Sequence, residues 1–330
     1  MNSFGRLFRI SIFGESHGVN LGVVIDGCPA GILLSENDLL PDLERRKSGA
    51  RGTTPRKESD MPRIVSGIFN GSTTGAPLTI LFENENTRSG DYSNLTIRPR
   101  PGHADWVAGQ KFDGFQDYRG GGHFSGRITL GLVAAGAVAK KILKNIKINA
   151  VIREIGGCTD PGQFGQVIEQ AMAAHDSVGG IVECTVEHLP AGWGEPFFDT
   201  VESVISHAVF AVPAIKGIEF GAGFESARMQ GSENNDPILD TSGKTGTNHA
   251  GGINGGITNS NPVVFRVAVK PTPSISTPQQ TLNTETGQIE NLVISGRHDA
   301  CIALRVPVVI EAVTAVALTD LFMIQRTRTS

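Results

Sequence analysis

The chain reads RLFRISIFGESHG over residues 6–18, and this stretch decides which class of fold the rest can adopt. Apolar and polar residues alternate from Arg6 to Phe13, which predicts a strand with one buried face. Glycines on both sides of Glu15-Ser16-His17 favour a sharp turn, because glycine adopts positive φ without a Cβ clash. The residues that follow, Val19–Asp26, have strand spacing and no helical period. A strand that turns into another strand favours an antiparallel sheet.

The turn at Gly14–Gly18 allows three interpretations. The first is a plain polar turn. The second is a nucleophile elbow, since the letters fit G-x-S-x-G with Ser16 as the nucleophile. The third is a site in which His17 carries the chemistry. An elbow leads from a strand into a helix, so the strand predicted after the turn argues against the second interpretation.

Helices and strands alternate along the chain without a regular βαβ period. Helical spacing of apolar residues predicts helices at 128–143, 163–174, 201–212 and 308–325. Asp199 is the predicted cap of the third helix, and Gly120–Gly122 are predicted to present backbone N–H groups at the start of the first. Apolar runs predict strands at 63–69, 77–83, 148–155, 181–187, 216–221, 263–270 and 302–306. No linker or repeat divides the sequence, so we expect a single α+β domain over residues 1–330, with helices packed against antiparallel sheets.

The composition is ordinary for a globular protein and argues against several classes of function. Hydrophobic residues make up 39% of the chain and charged residues 19%. Aromatic residues are only 6%, which argues against a base-stacking surface for nucleic acid. The four cysteines are widely spaced, as expected for reduced thiols, and we find no signal peptide and no apolar run of about 18 residues. We therefore expect a cytoplasmic protein that binds neither membranes nor nucleic acid.

Three common site motifs are incomplete in this sequence. Ser242-Gly243-Lys244-Thr245 resembles the end of a P-loop, but Ile238 stands where the first glycine is needed and no helix is predicted to follow. No G-x-G-x-x-G joins a strand to a helix, so a Rossmann dinucleotide site is not supported. The histidines lack the spacing of zinc ligands, and we expect no metal.

Six loops combine glycine with histidine, arginine, aspartate or small hydroxyl residues: 14–18, 45–60, 102–105, 119–127, 248–256 and 296–299. Each loop alone is most simply a turn. Arg45, Arg46, Arg51 and Arg56 form a cluster without acidic partners at helical spacing, and guanidinium groups bind phosphate and carboxylate well. The plain alternative is a solvated basic face. If the loops meet, they predict a site for a small, multiply anionic ligand, flanked by acid–base residues.

The sequence resembles the chorismate synthase family over nearly its whole length. The resemblance is carried by six motifs in order: Phe13–Gly18, Arg100–Asp105, Arg119–Gly122, Asn248–Gly252 with Gly255-Gly256, Lys270–Ile275 and Gly296–Asp299. It implies a lyase of the shikimate pathway that converts 5-enolpyruvylshikimate 3-phosphate to chorismate and phosphate by 1,4-anti elimination. It also implies a need for reduced FMN without net redox change, a β-α-β sandwich fold and a homotetramer.

The resemblance also implies roles for individual residues. His17 is expected to protonate the reduced flavin or poise its charge, His103 to lie near the substrate phosphate, and Asp299 to help remove the substrate proton near flavin N5. The implied anion-binding residues are Arg46, Arg51, Arg56, Arg119 and Arg127, of which Arg46 and Arg51 match family arginines that bind an anionic nucleotide (NADP) or the substrate phosphate. The implied flavin contacts are His123, Phe124, Ser125, Ala214, Gly255, Lys270, Pro271, Thr272, Pro273, Ser274 and Arg297.

Two departures from the family pattern bear on these roles. Where the family commonly has G-G-G-R-S-S-A-R, this chain has His123 and Phe124 after its glycines, so a permanent cation is replaced by a titratable one. The arginine loop is one residue shorter after Gly49 than the family pattern, so Arg51 matches its family arginine less closely than Arg46 does. We see no additional reductase domain, so a separate flavin reductase is expected. The alternatives are a serine hydrolase using Ser16, with His298 or His249 as base, and a flavin- or phosphate-binding protein without turnover.

Overall fold

A computed structural model describes residues 1–56, 58–85, 95–294 and 298–328. Its strands are β1 (Ser3–Phe4), β2 (Arg9–Gly14), β3 (Asn20–Asp26), β4 (Arg63–Ser66), β5 (Ile68–Phe69), β6 (Ser72–Thr73), β7 (Leu78–Glu83), β8 (Lys147–Ile155), β9 (Gly180–Glu187), β10 (Ile215–Phe220), β11 (Ile253–Asn254), β12 (Ile257–Thr258), β13 (Val263–Val269), β14 (Gln279–Leu282) and β15 (Ile289–Leu292). Its helices are α1 (Leu40–Arg46), α2 (Asp105–Lys111), α3 (Thr129–Leu143), α4 (Phe164–Ala173), α5 (Val201–Phe210), α6 (Gly231–Asn234) and α7 (Val306–Arg326).

The first sheet is antiparallel and has the order β1-β2-β3-β7-β4. The hairpin of β2 and β3 aligns Ile10 with Ile25, and the turn predicted at the glycine-bracketed stretch joins the two strands. Val23 of β3 is fully buried, as are Ile25 and Leu21, because alternate residues face the core. The strand-to-strand prediction for this stretch is therefore confirmed.

The second sheet is also antiparallel, with the order β10-β13-β9-β8. Its central strand β13 alternates between buried and partly exposed residues. Val267 lies opposite Val182 in the ladder, and both are fully buried. This sheet therefore also has one face turned toward the core.

Helices α3 and α7 fill the layer between the two sheets. Helix α3 packs against β2 and β3 of the first sheet, while α7 packs against β8 and β9 of the second. The two helices approach closely where Gly136 faces Ala312, since a Cβ at Gly136 would lie 2.3 Å from the Ala312 Cα atom. This sheet–helix–sheet order confirms the predicted α+β, β-α-β sandwich.

The segment Ile302–Arg326 is, within the described residues, the one helix long and apolar enough to span a membrane. The sequence predicted a helix at 308–325 but no apolar run of about 18 residues, so a helix of this length and apolarity was not expected. It is 78% buried over its most apolar window, because the protein itself covers its apolar surface. This is the behaviour of a core helix.

Three local predictions are wrong at the ends of helices. Residues 302–306 were predicted as a strand, but Ile302–Arg305 forms a 3₁₀ turn that leads directly into α7. The cap of α5 is Thr200, whose side chain accepts a hydrogen bond from the Ser203 N–H group, and not Asp199. Asp199 instead accepts two hydrogen bonds from Arg6.

The third wrong prediction concerns the triple glycine. Helix α3 begins at Thr129 and is preceded by a 3₁₀ turn at Gly126–Ile128, so Gly120–Gly122 do not form its N-terminus. All three glycines have positive φ, between 53° and 81°, which turns the chain sharply before the helix. The tight turn, and not a helix dipole, is what these glycines provide.

Candidate active site

Four of the six glycine-rich loops meet at a cavity of about 280 Å³, which we call the cationic cavity. The contributing loops are 14–18, 45–60, 119–127 and 296–299 (through His298 and Asp299), joined by Arg100. Among the described residues, its charged lining consists of Arg46, Lys47, Arg56, Glu58, Asp60, Arg100, Arg127, Asp299 and Arg305. Cations outnumber carboxylates two to one, so the cavity favours a multiply anionic ligand.

Arg46 and Arg127 are connected by one carboxylate. The two Asp60 oxygens each accept a hydrogen bond at 2.8 Å, one from Arg46 Nη2 and the other from Arg127 Nη1. All three side chains are buried. Burial would raise the pKa of Asp60, but the two arginines outweigh it and lower the pKa. The carboxylate therefore stays ionised at neutral pH.

Arg46 has donors that nothing in the described residues uses. Its Nε and Nη1 atoms are buried and have no hydrogen-bond partner among those residues, although the side chain lines the cavity. Burial, followed by the proximity of Arg305, lowers its pKa to about 10, so it remains a cation at neutral pH. A buried, charged donor without a partner is costly, and an anionic ligand would satisfy it.

Ser16 is held by the arginine of a neighbouring loop. Its Oγ accepts a hydrogen bond of 3.1 Å from Arg56 Nη1, and its carbonyl accepts one of 3.2 Å from Nη2. Arg56 is in turn paired with Glu58 at 2.6 Å. Ser16 is fully buried and no helix follows its turn, so the nucleophile-elbow interpretation is not supported.

His17 lies behind Gly120, next to the cationic cavity. A Cβ at Gly120 would fall 2.3 Å from His17 Nδ1, so only glycine allows this contact. Burial, then the charges of Arg56 and Arg119, lower the pKa of His17 to about 4. The imidazole is therefore neutral near pH 7.

A second, more apolar cavity of about 620 Å³ adjoins the first, and we call it the apolar cavity. Its lining includes Phe4, Ile10, Ile12, Phe124, Ile128, Leu132, Phe210, Pro213, Ala214 and Pro273. Both cavities are lined by Asp299, whose carboxylate accepts a 2.9 Å hydrogen bond from the Thr54 N–H group and pairs with Arg305 at 3.3 Å. Asp299 thus lies at the boundary between a charged and an apolar compartment.

His103 lines the apolar cavity and is oriented by a buried ionic network. Its Nδ1 atom lies 2.6 Å from Asp105 Oδ1, and Arg100 donates to the same carboxylate and to Ser274 Oγ. Burial raises the pKa of Asp105, but Arg100 and His103 lower it well below its usual range. Asp105 Oδ1 and Arg100 Nη2 both contact Nδ1, which orients the ring and leaves Nε2 for other partners.

Most of the implied flavin contacts surround the apolar cavity: His123, Phe124, Ser125, Ala214, Lys270, Thr272, Pro273 and Ser274. His123 Nδ1 donates to the Gly14 carbonyl at 2.7 Å, and Lys270 Nζ donates to the Gly102 carbonyl at 2.5 Å. Ala214 has a φ of 75°, which is strained for a residue with a Cβ atom. Pro271 is next to these residues in sequence but is absent from the described lining of either cavity.

Besides His17 and Pro271, three further implied residues lie outside both cavities, as far as the described residues show. Arg51 is 73% exposed and pairs with Glu169 at 2.7 Å. Arg119 pairs with Asp117 at 2.8 Å and influences His17 only through its charge. Gly255 lies in the turn between β11 and β12, which packs against residues 195–201. Arg297 falls outside the described residues.

Sequence reasoning missed five charged residues of the cationic cavity: Lys47, Glu58, Asp60, Arg100 and Arg305. Arg100 belongs to a motif that was noted, and Lys47 and the two acids lie within the 45–60 loop. Arg305 gave no such indication, because its segment was predicted as a strand. Its Nε donates to the Arg46 carbonyl at 3.0 Å, which links α7 to the end of α1.

Comparison with known proteins identifies the family. The family model described as chorismate synthase matches residues 8–323. The chain belongs to the chorismate synthase family. It is 66% identical over 327 residues to the chorismate synthase of Chitinophaga pinensis, covering 99% of this chain and 98% of that protein. It is 45% identical over 341 residues to the chorismate synthase of Thermococcus gammatolerans, covering 96% of each.

A solved structure is also similar. A crystal structure of chorismate synthase matches this fold with a TM-score of 0.75 and 28% identity, covering 97% of this chain and 92% of the other. As a chorismate synthase family member, the chain is a carbon–oxygen lyase of the shikimate pathway, which serves aromatic amino acid biosynthesis. Its substrate is a small phosphorylated molecule. The hydrolase and non-catalytic alternatives are therefore excluded.

Proposed function

We propose that the protein converts 5-enolpyruvylshikimate 3-phosphate to chorismate and phosphate by 1,4-anti elimination, with reduced FMN and without net redox change. The observation that carries this proposal is the pair of adjoining cavities with Asp299 at their boundary. One compartment suits a charged substrate and the other an aromatic cofactor. The two can therefore be held in contact while their environments stay different.

The cationic cavity fits a substrate with one phosphate and two carboxylates. Arg46, Arg56 and Arg127 line it, and Arg100 and Arg305 add two further cations. Arg46 offers two unused donors within the described residues, which supports an anionic oxygen of the substrate as their partner. Arg51 and Arg119 contribute through charge at a distance, since both are already paired with carboxylates.

The apolar cavity fits a flavin ring system. Its volume of about 620 Å³ lies in the usual range for cofactor pockets, and its walls are aliphatic and aromatic with a few polar groups. His123, Lys270 and the strained backbone at Ala214 supply those polar groups. When bound there, reduced FMN supplies electron density that the elimination uses and then recovers.

The two histidines exchange their expected roles in this proposal. His103 lines the apolar cavity, with Nε2 left for it by the Asp105 contact, so we assign it to the protonation state of the flavin. His17 adjoins Arg56 and the cationic cavity, so we assign it to the departing phosphate. His17 is neutral without substrate, because burial and nearby arginines lower its pKa. The negative charge of bound substrate would offset those arginines and raise the pKa again.

Asp299 is assigned to the proton that the elimination removes. Its carboxylate faces both compartments and is oriented by the Thr54 N–H group and Arg305. A carboxylate held in this way can accept a proton at the position where substrate and cofactor meet. Asp299→Asn keeps the shape of the side chain, so turnover is expected to fall about 100-fold or more while substrate binding changes little.

The test is an anaerobic assay with the phosphorylated enolpyruvyl substrate. With dithionite-reduced FMN the protein is expected to release phosphate and form chorismate in equal amounts. Oxidised FMN, or no FMN, is the control and is expected to give no product. Turnover that does not depend on reduced flavin, or phosphate release without chorismate, would contradict the proposal.

We also propose that the chain is one domain that assembles as a homotetramer in the cytoplasm and receives reduced FMN from a separate reductase. The turn that holds Gly255 packs against residues 195–201, where Phe197 and Phe198 are 86% and 92% exposed. An interface between copies at this surface would cover both phenyl rings and place Gly255 against a second copy of the chain. Light scattering is expected to give a tetramer that Phe198→Asp weakens, whereas a wild-type monomer at micromolar concentration would contradict the assembly.

A further inference from the structure

Asp60 occupies an unusual position between the cationic cavity and its arginines. Its two oxygens are divided between Arg46 and Arg127, each at 2.8 Å, and its side chain is almost completely buried. Its backbone has a φ of 50°, a left-handed conformation that a residue with a side chain adopts only at a cost. Strain of this kind persists where the surrounding structure requires a particular side-chain position.

Arg46 depends on Asp60 for its orientation. Within the described residues, the guanidinium group of Arg46 makes one hydrogen bond, from Nη2 to Asp60. Arg127 differs, since it also donates to Asn84 and to the Glu83 carbonyl. Loss of the Asp60 carboxylate would therefore leave Arg127 anchored and Arg46 without an anchor.

The charges of the two arginines add a second requirement. Arg46 and Arg127 are 3% and 7% exposed, and like charges at that depth repel strongly. Asp60 lies between them and uses one N–H group of each. Asp60 accepts a hydrogen bond from Nη2 of Arg46, and Nε and Nη1 of that arginine have no partner within the described residues.

We propose that Asp60 is a positioning residue for substrate binding: it joins Arg46 and Arg127 into one rigid unit and leaves Arg46 Nε and Nη1 for an anionic oxygen of the substrate. This rests on the proposed function of the cationic cavity. In this proposal Asp60 acts through the two arginines and not through a contact of its own with the substrate. Its effect is therefore on substrate affinity, and neither the elimination step nor the flavin compartment requires it directly.

The first test is Asp60→Asn in the full chain, with Asp42→Asn as the matched control. Asparagine keeps the shape and tolerates the left-handed backbone but lacks the charge. Asp42 lies on the same helix as Arg46 but pairs with Arg45 and Lys140, and it is absent from the described cavity lining. Asp60→Asn is expected to raise KM for the substrate about tenfold or more with kcat and FMN affinity within about threefold, and Asp42→Asn to change neither.

The second test uses Asp60→Glu and inorganic phosphate. Glutamate keeps the negative charge that offsets the two buried arginines, but its longer side chain cannot keep both 2.8 Å hydrogen bonds. Urea unfolding checks that this variant is folded. A raised KM in this folded variant is expected, and a wild-type KM would overturn the proposal. Parallel loss of kcat, KM and FMN affinity in Asp60→Asn would also overturn it, since that result indicates a general structural role.

Thermal stabilisation by inorganic phosphate separates this inference from the proposed reaction. Phosphate is expected to raise the melting temperature of the wild type more than that of either Asp60 variant. If the wild type forms no chorismate but this difference holds, the reaction is wrong and the role of Asp60 stands. Equal stabilisation of all three proteins overturns the role of Asp60 whatever the reaction.

Discussion

Arg45 and Arg46 are neighbours in α1, yet they belong to two very different ionic clusters. Arg45 donates to both oxygens of Glu311 at 2.7 Å, and Lys140 and the Ala150 N–H group complete the contacts of that carboxylate. Arg46 meets a single carboxylate, Asp60, and keeps two unused donors within the described residues. The carboxylate of the first cluster is saturated by the protein alone, whereas the arginine of the second keeps donors that the described residues leave unused.

This difference shows how a structural ion cluster can be told from a binding site. Each cluster contains arginine and a buried carboxylate, Glu311 in the first and Asp60 in the second, so composition does not separate them. Buried polar groups are normally satisfied, and a buried cation with unused donors facing a cavity therefore indicates a missing anion. The following predictions test the comparison, from the largest expected effect to the smallest.

Arg46→Gln should remove most substrate binding. Each charge-assisted hydrogen bond contributes about 1.5–3 kcal/mol, so loss of two should lower kcat/KM roughly 100- to 20,000-fold. Arg45→Gln is the matched control and should lower kcat/KM less than about threefold in the folded protein. Anaerobic steady-state kinetics of both variants measure this, and equal losses would contradict the distinction between the clusters.

Glu311→Gln should reduce stability with little effect on substrate affinity. Removing one partner of a fully buried ion pair costs about 3–5 kcal/mol, and we expect about 2–3 kcal/mol because Arg45 and Lys140 are partly exposed. Urea unfolding measures this change. A raised KM without loss of stability would contradict a structural role.

The effect of Glu311 should also depend on pH. Burial raises its pKa, but Arg45 and Lys140 outweigh burial and lower the pKa below its ordinary 4.5. A lowered pKa in the folded state contributes stability above pH 4.5 that is lost as the pH falls through the folded value. The gap in unfolding free energy between wild type and Glu311→Gln should therefore shrink in acid.

The pKa of His17 should rise when an anion enters the cationic cavity. Burial and the charges of Arg56 and Arg119 hold the pKa of His17 at about 4, and a nearby negative charge favours the protonated imidazole. We expect inorganic phosphate to raise it by about one unit, measured by NMR titration of the imidazole. An unchanged His17 pKa with phosphate bound would show that charge in the cationic cavity does not affect this imidazole.

Asp42→Asn should have the smallest effect. Asp42 pairs with Lys140 at 2.8 Å and with Arg45 at 3.3 Å, and all three side chains contact solvent. Pairs of this kind contribute less than about 1 kcal/mol, so the unfolding free energy should fall by no more than that. A loss as large as that of Glu311→Gln would show that the saturated cluster acts as one unit.

The sequence was most informative where one periodicity dominates. The hairpin at residues 6–26 and the core helices follow from apolar spacing, because burial of one face fixes each element, whereas the β-α-β architecture was implied by the family resemblance. The ends of elements were less predictable. Ile302–Arg305 is apolar enough to read as a strand, but it forms a 3₁₀ turn because it continues into the long helix α7.

The candidate site was predictable in kind, but its assembly was not. Glycine-rich loops with arginine and histidine indicated an anion site, and the motifs indicated the family. Which loops meet depends on contacts between residues far apart in the chain, such as Arg305 with the Arg46 carbonyl. No local pattern shows that Gly255 lies away from the cavity or that Asp60 connects two arginines.

Sequence alone therefore determined the fold class, the family and the residue types of the site, because these depend on local periodicity and on short motifs. The tertiary structure decided which neighbouring arginine lines the cationic cavity and which pairs with a buried glutamate. That choice depends on the partners that α7 and the 45–60 loop place around the end of α1. It also decided that His17 is neutral, because its pKa is set by burial and by charges from other loops.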